Sequence, residues 1–159
     1  MNQNNILSKE QLEELLPLAT KWVATQEKFI LKNGVSLDPD QQIDAYKIGV
    51  KDITKVRLYE VTNIPKPSIP QLKNAVDSAG FLSSDTIGVS FRYGIYIKST
   101  FWNQRRLIVH ELTHTMQYER AGGIQPFLEL YLNECLTVGY PNGPLEKEAR
   151  KNEKEICTQ

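Results

Sequence analysis

Histidine is scarce in this chain, with two copies in 159 residues. Cysteine is as scarce: Cys135 and Cys157 are too few for a disulfide framework and read as incidental thiols. A surplus of charge is also missing. Nineteen basic and nineteen acidic residues leave a formal net charge of zero, which excludes the basic footprint of a nucleic-acid binder and any polyanionic role. No apolar run approaches the roughly 20 residues that span a bilayer. Met1 to Asn5 is polar and lacks the charged-then-apolar pattern of a secretory signal. These absences predict a cytoplasmic chain with no membrane or nucleic-acid partner, although a non-standard export route is compatible with them. Repeats and low-complexity tracts are missing too. The length suits one domain, residues 1–159, with helices and a small sheet over 1–100 and site helices over 101–159.

Both histidines fall in one stretch, His110-Glu111-Leu112-Thr113-His114. This is H-E-x-x-H, the zinc-peptidase signature. Residues four apart on a helix share a face, one turn from each other. Two imidazoles so placed can hold one Zn²⁺, and Glu111 beside them can work on a metal-activated water. Two histidines and the glutamates scattered at random would produce the pattern in roughly one chain in a thousand. The scarcity of histidine also constrains the third protein ligand, which must be Glu, Asp or Cys. Cys suits structural zinc sites better than hydrolytic ones.

The surrounding pattern predicts an α+β chain: a small mixed or antiparallel sheet, then the H-E-x-x-H helix, then C-terminal helices. Ser8 with Gln11 reads as a capping box, opening a helix that runs to about Lys32. Asp38-Pro39 opens a second helix, with Ile43, Tyr46 and Ile48 expected on its apolar side. Val56, Leu58 and Val61 mark a strand, and Gln71 to Ser78 a short helix after a proline-punctuated loop. Ile87–Phe91 and Gly94–Lys98 read as a hairpin around Arg92-Tyr93. The motif helix is expected from an N-cap at Asn103 to about Arg120, broken by Gly122-Gly123. The next helix carries Phe127, Leu128, Tyr131, Leu132, Cys135 and Leu136. It is apolar over most of its girth, so burial is expected. A last, charged helix starts at Pro144.

The third ligand is sought downstream, among Glu119, Glu129, Glu134, Glu146, Glu148, Glu153 and Glu155. Glu119 points off the ligand face of its helix. Glu146 shares a face with Ala149, Glu153, Ile156 and Cys157, whereas Glu148 shares a solvated face with Lys151, Asn152 and Glu155. A ligand must point inward, which favours Glu146 over Glu148.

H-E-x-x-H followed by Glu146-Lys147-Glu148-Ala149-Arg150 resembles the gluzincin metallopeptidases, whose later glutamate often lies in E-x-x-A-D. His114-Thr115-Met116-Gln117-Tyr118 is also similar to small bacterial zincin-like domains of unassigned substrate. The resemblance covers about Gly88 to Glu153. It implies a zincin-like fold, with His110, His114 and Glu146 as zinc ligands and Glu111 as general base. It also implies an upper edge strand that pairs with an extended peptide or protein substrate, for which Gly94–Lys98 is the candidate. A stabiliser of the developing oxyanion would come from Tyr140, Tyr118 or Arg150, with Tyr140 preferred. The acid that closes E-x-x-A-D in the family supports a ligand histidine. Here that position is Arg150, so the support must come from elsewhere or be absent.

The leading expectation is a zinc-dependent metallopeptidase. Two alternatives stand beside it: a weak or inactive zincin-like metal-binding module acting in protein interaction or regulation, and an effector or toxin protease with one narrow target. About 45 residues follow His114, little chain for the lower half of a deep cleft.

Overall fold

The computed structural model describes residues 8–139 and 142–158. The chain is mixed α+β. Its elements run α1 (Lys9–Asn33), β1 (Val35–Ser36), α2 (Pro39–Ile48), β2 (Arg57–Val61), α3 (Pro70–Ala79), β3 (Gly88–Phe91), β4 (Gly94–Lys98), α4 (Arg105–Ala121), α5 (Ile124–Thr137) and α6 (Pro144–Cys157). Among the described residues no helix is long and apolar enough to cross a membrane. The capping box at Ser8 forms as the sequence predicts, with Gln11 returning a bond to the cap. Asp38 and Gln41 build a second box at the start of α2. Each box satisfies orphan N–H groups in a helix's first turn, worth about 1 kcal/mol.

The four strands form one sheet in the order β1-β2-β4-β3. The β3–β4 hairpin is antiparallel, and β4 also pairs in parallel with β2, Leu58 opposite Ile95. β4 is therefore a central strand, contrary to the expectation that Gly94–Lys98 is the exposed edge. Its side chains alternate between two cores. Ile95 and Ile97 pack with Leu58, Leu107, Ile108 and Leu112 on the α4 face. Tyr96 packs with Val23, Ile30, Phe91 and Phe127 on the α1 face. A strand buried on both faces reads as a continuous apolar run, so the sequence alone does not separate centre from edge. The outer strand near the motif helix is β3.

α1 lies tight on the sheet at Gly94, where a Cβ would stand 2.9 Å from Ile30 Cβ. The hairpin turn is held from α1 as well. Arg92 has φ 63°, a left-handed value unusual for a residue with a side chain. The buried Glu27 carboxylate accepts two bonds from the Arg92 guanidinium, at 2.9 and 2.8 Å, and a third from the Tyr93 N–H at 3.0 Å. Glu27→Ala strands the buried Tyr93 N–H and releases the turn. Because Arg92 keeps 37% of its side chain exposed and can rehydrate, the expected cost is about 2–3 kcal/mol, below that of breaking a fully buried pair. A melting temperature lowered by roughly 5–10 °C would show it; an unchanged one would remove Glu27 as the anchor of the turn.

Three local expectations give way to tertiary packing. α2 buries Asp44 and Ala45, while Ile43 and Tyr46 are exposed, because the Asp44 carboxylate accepts a paired bond from Arg105 at 2.9 Å. α4 starts at Arg105 behind Gln104, not at an Asn103 cap, because Ser99–Phe101 forms a 3₁₀ turn that delays it. α5 is only partly covered: Ile124 and Phe127 are buried, Leu128, Tyr131, Leu132 and Cys135 are half-buried, and Leu130 is exposed.

Candidate metal centre

α4 and α6 pack against each other, and the candidate centre lies between them. Along α4, Leu107, Ile108, Val109 and Leu112 are buried, which anchors the helix; His110 and His114 meet α6, and Glu111 meets β3. In α6 the buried residues Leu145, Glu146, Ala149 and Ile156 define the inward side. Glu146 thus sits in the first turn facing α4, as its helical position predicts. Glu134 steadies this start, its Oε1 accepting the Leu145 N–H at 2.9 Å.

His110 Nε2 lies 3.0 Å from Glu146 Oε1, and His114 Nε2 lies 3.1 Å from Glu146 Oε2. The candidate ligand atoms of His110, His114 and Glu146 all fall within 4.8 Å of one another. Tetrahedral zinc, with ligands at about 2.0–2.2 Å, places ligand atoms roughly 3.4 Å apart. The donor set is two imidazole nitrogens and one carboxylate, the chemistry zinc accepts in hydrolytic sites. The residues present therefore fit the metal that the motif implies. Glu148 is not brought in; it pairs with Arg120 and Gln117. The thiol of Cys135 is pushed up to about 12 by burial and then by the charges of Glu146 and Glu134, which disfavours the thiolate a ligand needs.

Without metal, the contacts among the three groups shift each toward its charged form. Burial alone would lower the His110 pKa. The hydrogen bond with Glu146 and the charge of Glu111 outweigh burial and push it up to about 9. His114 is raised against burial by the same two partners. Burial alone would raise Glu146, but the bonds from both imidazoles and from Tyr131 hold it far below the usual carboxylate range.

The far nitrogens of both rings are also engaged. His110 Nδ1 lies 2.5 Å from Glu153 Oε2, and His114 Nδ1 lies 2.7 Å from Gln117 Oε1. Each acceptor requires a proton on Nδ1, which leaves Nε2 as the metal-facing nitrogen. Arg150, at the position of the family's closing acid, is exposed; the support comes from Glu153, one turn further along α6. The shared face of Glu146 and Glu153 was visible in the sequence, but not that one carboxylate takes Nε2 and the other Nδ1. Glu153→Gln is expected to weaken zinc binding roughly 10- to 100-fold, read by competition with a chelating dye. An unchanged affinity would make the His110–Glu153 contact incidental.

Glu111 is buried, and Ser90 Oγ lies 2.8 Å from its Oε1 and 2.7 Å from its backbone carbonyl. Ser90 thus ties the outer strand β3 to the candidate base. A Cβ at Gly88 would stand 3.0 Å from Leu107 Cδ1 and 3.4 Å from Glu111 Cγ, so glycine permits this close approach. Of the three candidates for oxyanion stabilisation, Tyr118 is buried with its hydroxyl donating to the Ser90 carbonyl, Arg150 is exposed, and Tyr140 lies outside the described residues. A residue the sequence reading treated as core, Tyr131, places its hydroxyl 2.5 Å from Glu146 Oε2. Ser90, Gln117 and Tyr131 carried no sequence signal of their roles, because each acts through a partner on another element or another turn.

No protein family, curated protein or solved structure matches the chain. The site is read from its own chemistry.

Proposed function

We propose that this chain is a zinc-dependent metallopeptidase of gluzincin type with a zincin-like fold, acting on a peptide or protein substrate. The observation that carries the reading is the convergence of His110 Nε2, His114 Nε2 and the Glu146 carboxylate, with the Glu111 carboxylate held beside them by Ser90. His110, His114 and Glu146 would hold the ion. Zinc, when bound, supplies Lewis acidity, lowering the pKa of water and polarising a carbonyl. Glu111 accepts a proton from the attacking water and passes it to the nitrogen of the leaving amine. Ser90 orients Glu111, and Glu153 and Gln117 keep the imidazoles in the tautomer a ligand needs. Tyr131 donates its hydroxyl to the Glu146 carboxylate and orients it, while Tyr140 keeps the oxyanion role expected from the sequence.

A second reading is a structural ion cluster. Its support is that imidazoliums at His110 and His114 would find acceptors for every ring N–H in the same geometry. The two readings diverge on metal. Protein stripped by chelator and assayed on a fluorogenic peptide library is expected to be silent, and to turn over once one equivalent of zinc returns. Zinc uptake without turnover would leave a metal-binding module. No uptake would leave the ion cluster.

A further inference from the structure

A cavity of about 210 Å³ opens onto the candidate centre, with His110, Glu111, His114 and Glu146 in its lining. The remaining walls come largely from the N-terminal half: Leu15 and Trp22 of α1, Leu72 and Val76 of α3, with Val89 of β3 and Leu128 of α5. Its charged lining groups are confined to the site itself. Trp22 is braced edge-on against Phe91, with ring centroids 5.2 Å apart and an interplanar angle of 83°. A second cavity shares Gly88, His110 and Glu111 with the first and has a mixed lining, Ile87 and Leu107 together with Asp85, Gln104, Arg106 and Glu153. The candidate base thus sits where an apolar chamber meets a cavity of mixed, partly charged lining.

We infer that the apolar chamber seats one large apolar side chain of the substrate, adjacent to the bond that is cut, and that α1 and α3 carry this specificity. The inference rests on the metallopeptidase reading for its occupant. Continuity with the site makes that occupant part of the substrate. The walls offer few hydrogen-bonding groups, so a main chain entering there would leave its amides unpaired, at a cost of several hydrogen bonds. The main chain instead stays along β3, and a side chain enters. An apolar cavity of about 150 Å³ already takes a benzene ring, so a leucyl, methionyl or phenylalanyl group fits in volume. A lysine or aspartate would lose its hydration without gaining a partner. This gives α1 two roles. Ile30 builds the core, while Leu15 and Trp22 face the chamber.

Zinc-loaded wild-type protein is to be profiled on fluorogenic peptides that vary the residues on either side of the cut bond. At one of these two positions, Leu, Met or Phe is expected to give a kcat/KM at least tenfold above Ala, a step set by the extra apolar groups buried, with Asp and Lys lower still. Ala75→Trp narrows the chamber and should lower the value for Phe more than for Ala at unchanged zinc content. A flat profile at both positions overturns the inference while leaving the peptidase reading intact. A binding arm needs no turnover. In Trp102→Phe protein, Trp22 is the sole tryptophan, and its emission is followed on adding N-acetyl-phenylalaninamide or N-acetyl-aspartamide. A shift with the aromatic probe alone supports the chamber even where no peptide is cleaved and the peptidase reading has fallen. Equal responses to both probes overturn it.

Discussion

Glu111→Gln is expected to retain about one zinc per chain and to lose peptide turnover by roughly a thousandfold. The substitution keeps the shape of the side chain, and its amide oxygen can still accept from Ser90 Oγ. What disappears is the carboxylate proposed to take a proton from water, and a positioned general base contributes about 10²–10⁴-fold. Glu111 is not one of the clustered ligand residues, so metal content should hold. Ser90→Ala serves as the graded partner: it leaves the base in place but loosens it, and a loss nearer tenfold is expected. Zinc content by elemental analysis and kcat/KM on the same preparation separate the outcomes. Turnover intact in Glu111→Gln, with zinc bound, would end the proposed role of this residue.

The second large effect belongs to Glu146. Glu146→Ala removes the proposed third ligand, a buried carboxylate, and leaves two imidazoles without their shared acceptor, so the one zinc per chain expected of wild type should be lost on dialysis. Zinc retained by the variant would move the third ligand to another carboxylate. The electrostatics add a pH dependence. In the metal-free fold His110 is raised to about 9 and His114 is raised as well, so at neutral pH zinc must displace the His110 proton, and the His114 proton wherever that ring is charged. Zinc affinity should therefore fall as pH falls, by roughly ten- to a hundredfold per unit for one or two displaced protons. Calorimetry in buffers of different ionisation enthalpy counts those protons, and none released would contradict the charged triad. The same shifts act on stability. The raised His110 stabilises the metal-free fold fully below its ordinary 6.5, and that contribution fades as pH rises through about 9; His114, also raised, acts in the same direction. The depressed Glu146 contributes above its ordinary 4.5 and loses that contribution as pH falls below it. The metal-free protein should thus melt highest between these limits, and zinc should flatten the alkaline decline.

The candidate site was legible in the sequence where its parts are local. H-E-x-x-H puts two imidazoles on one face through helical period alone, and two histidines in the whole chain forced a non-histidine third ligand. The inward face of the last helix singled out Glu146 over Glu148 by the same period. The capping box at Ser8, the hairpin at Arg92-Tyr93 and the breaks at Gly122-Gly123 were readable because a few adjacent residues decide them.

Other features depend on distant segments meeting. Ile43 and Tyr46 lie exposed in α2 because Arg105, sixty-one positions after Asp44, draws that carboxylate inward. Gly94–Lys98 is central because β2 pairs with it in parallel, and no local pattern in a doubly buried strand reports its neighbours. His110 finds its supporting acid at Glu153, and not at the motif's own closing position, because the spacing between α4 and α6 sets which turn of α6 faces the imidazole. By itself the sequence determined which groups could bind a metal, since ligand chemistry and helical period are properties of a short stretch. The tertiary structure decided what supports those groups and what surrounds them, since burial, hydrogen-bond partners and the shape of a cavity exist once separate helices and strands have packed.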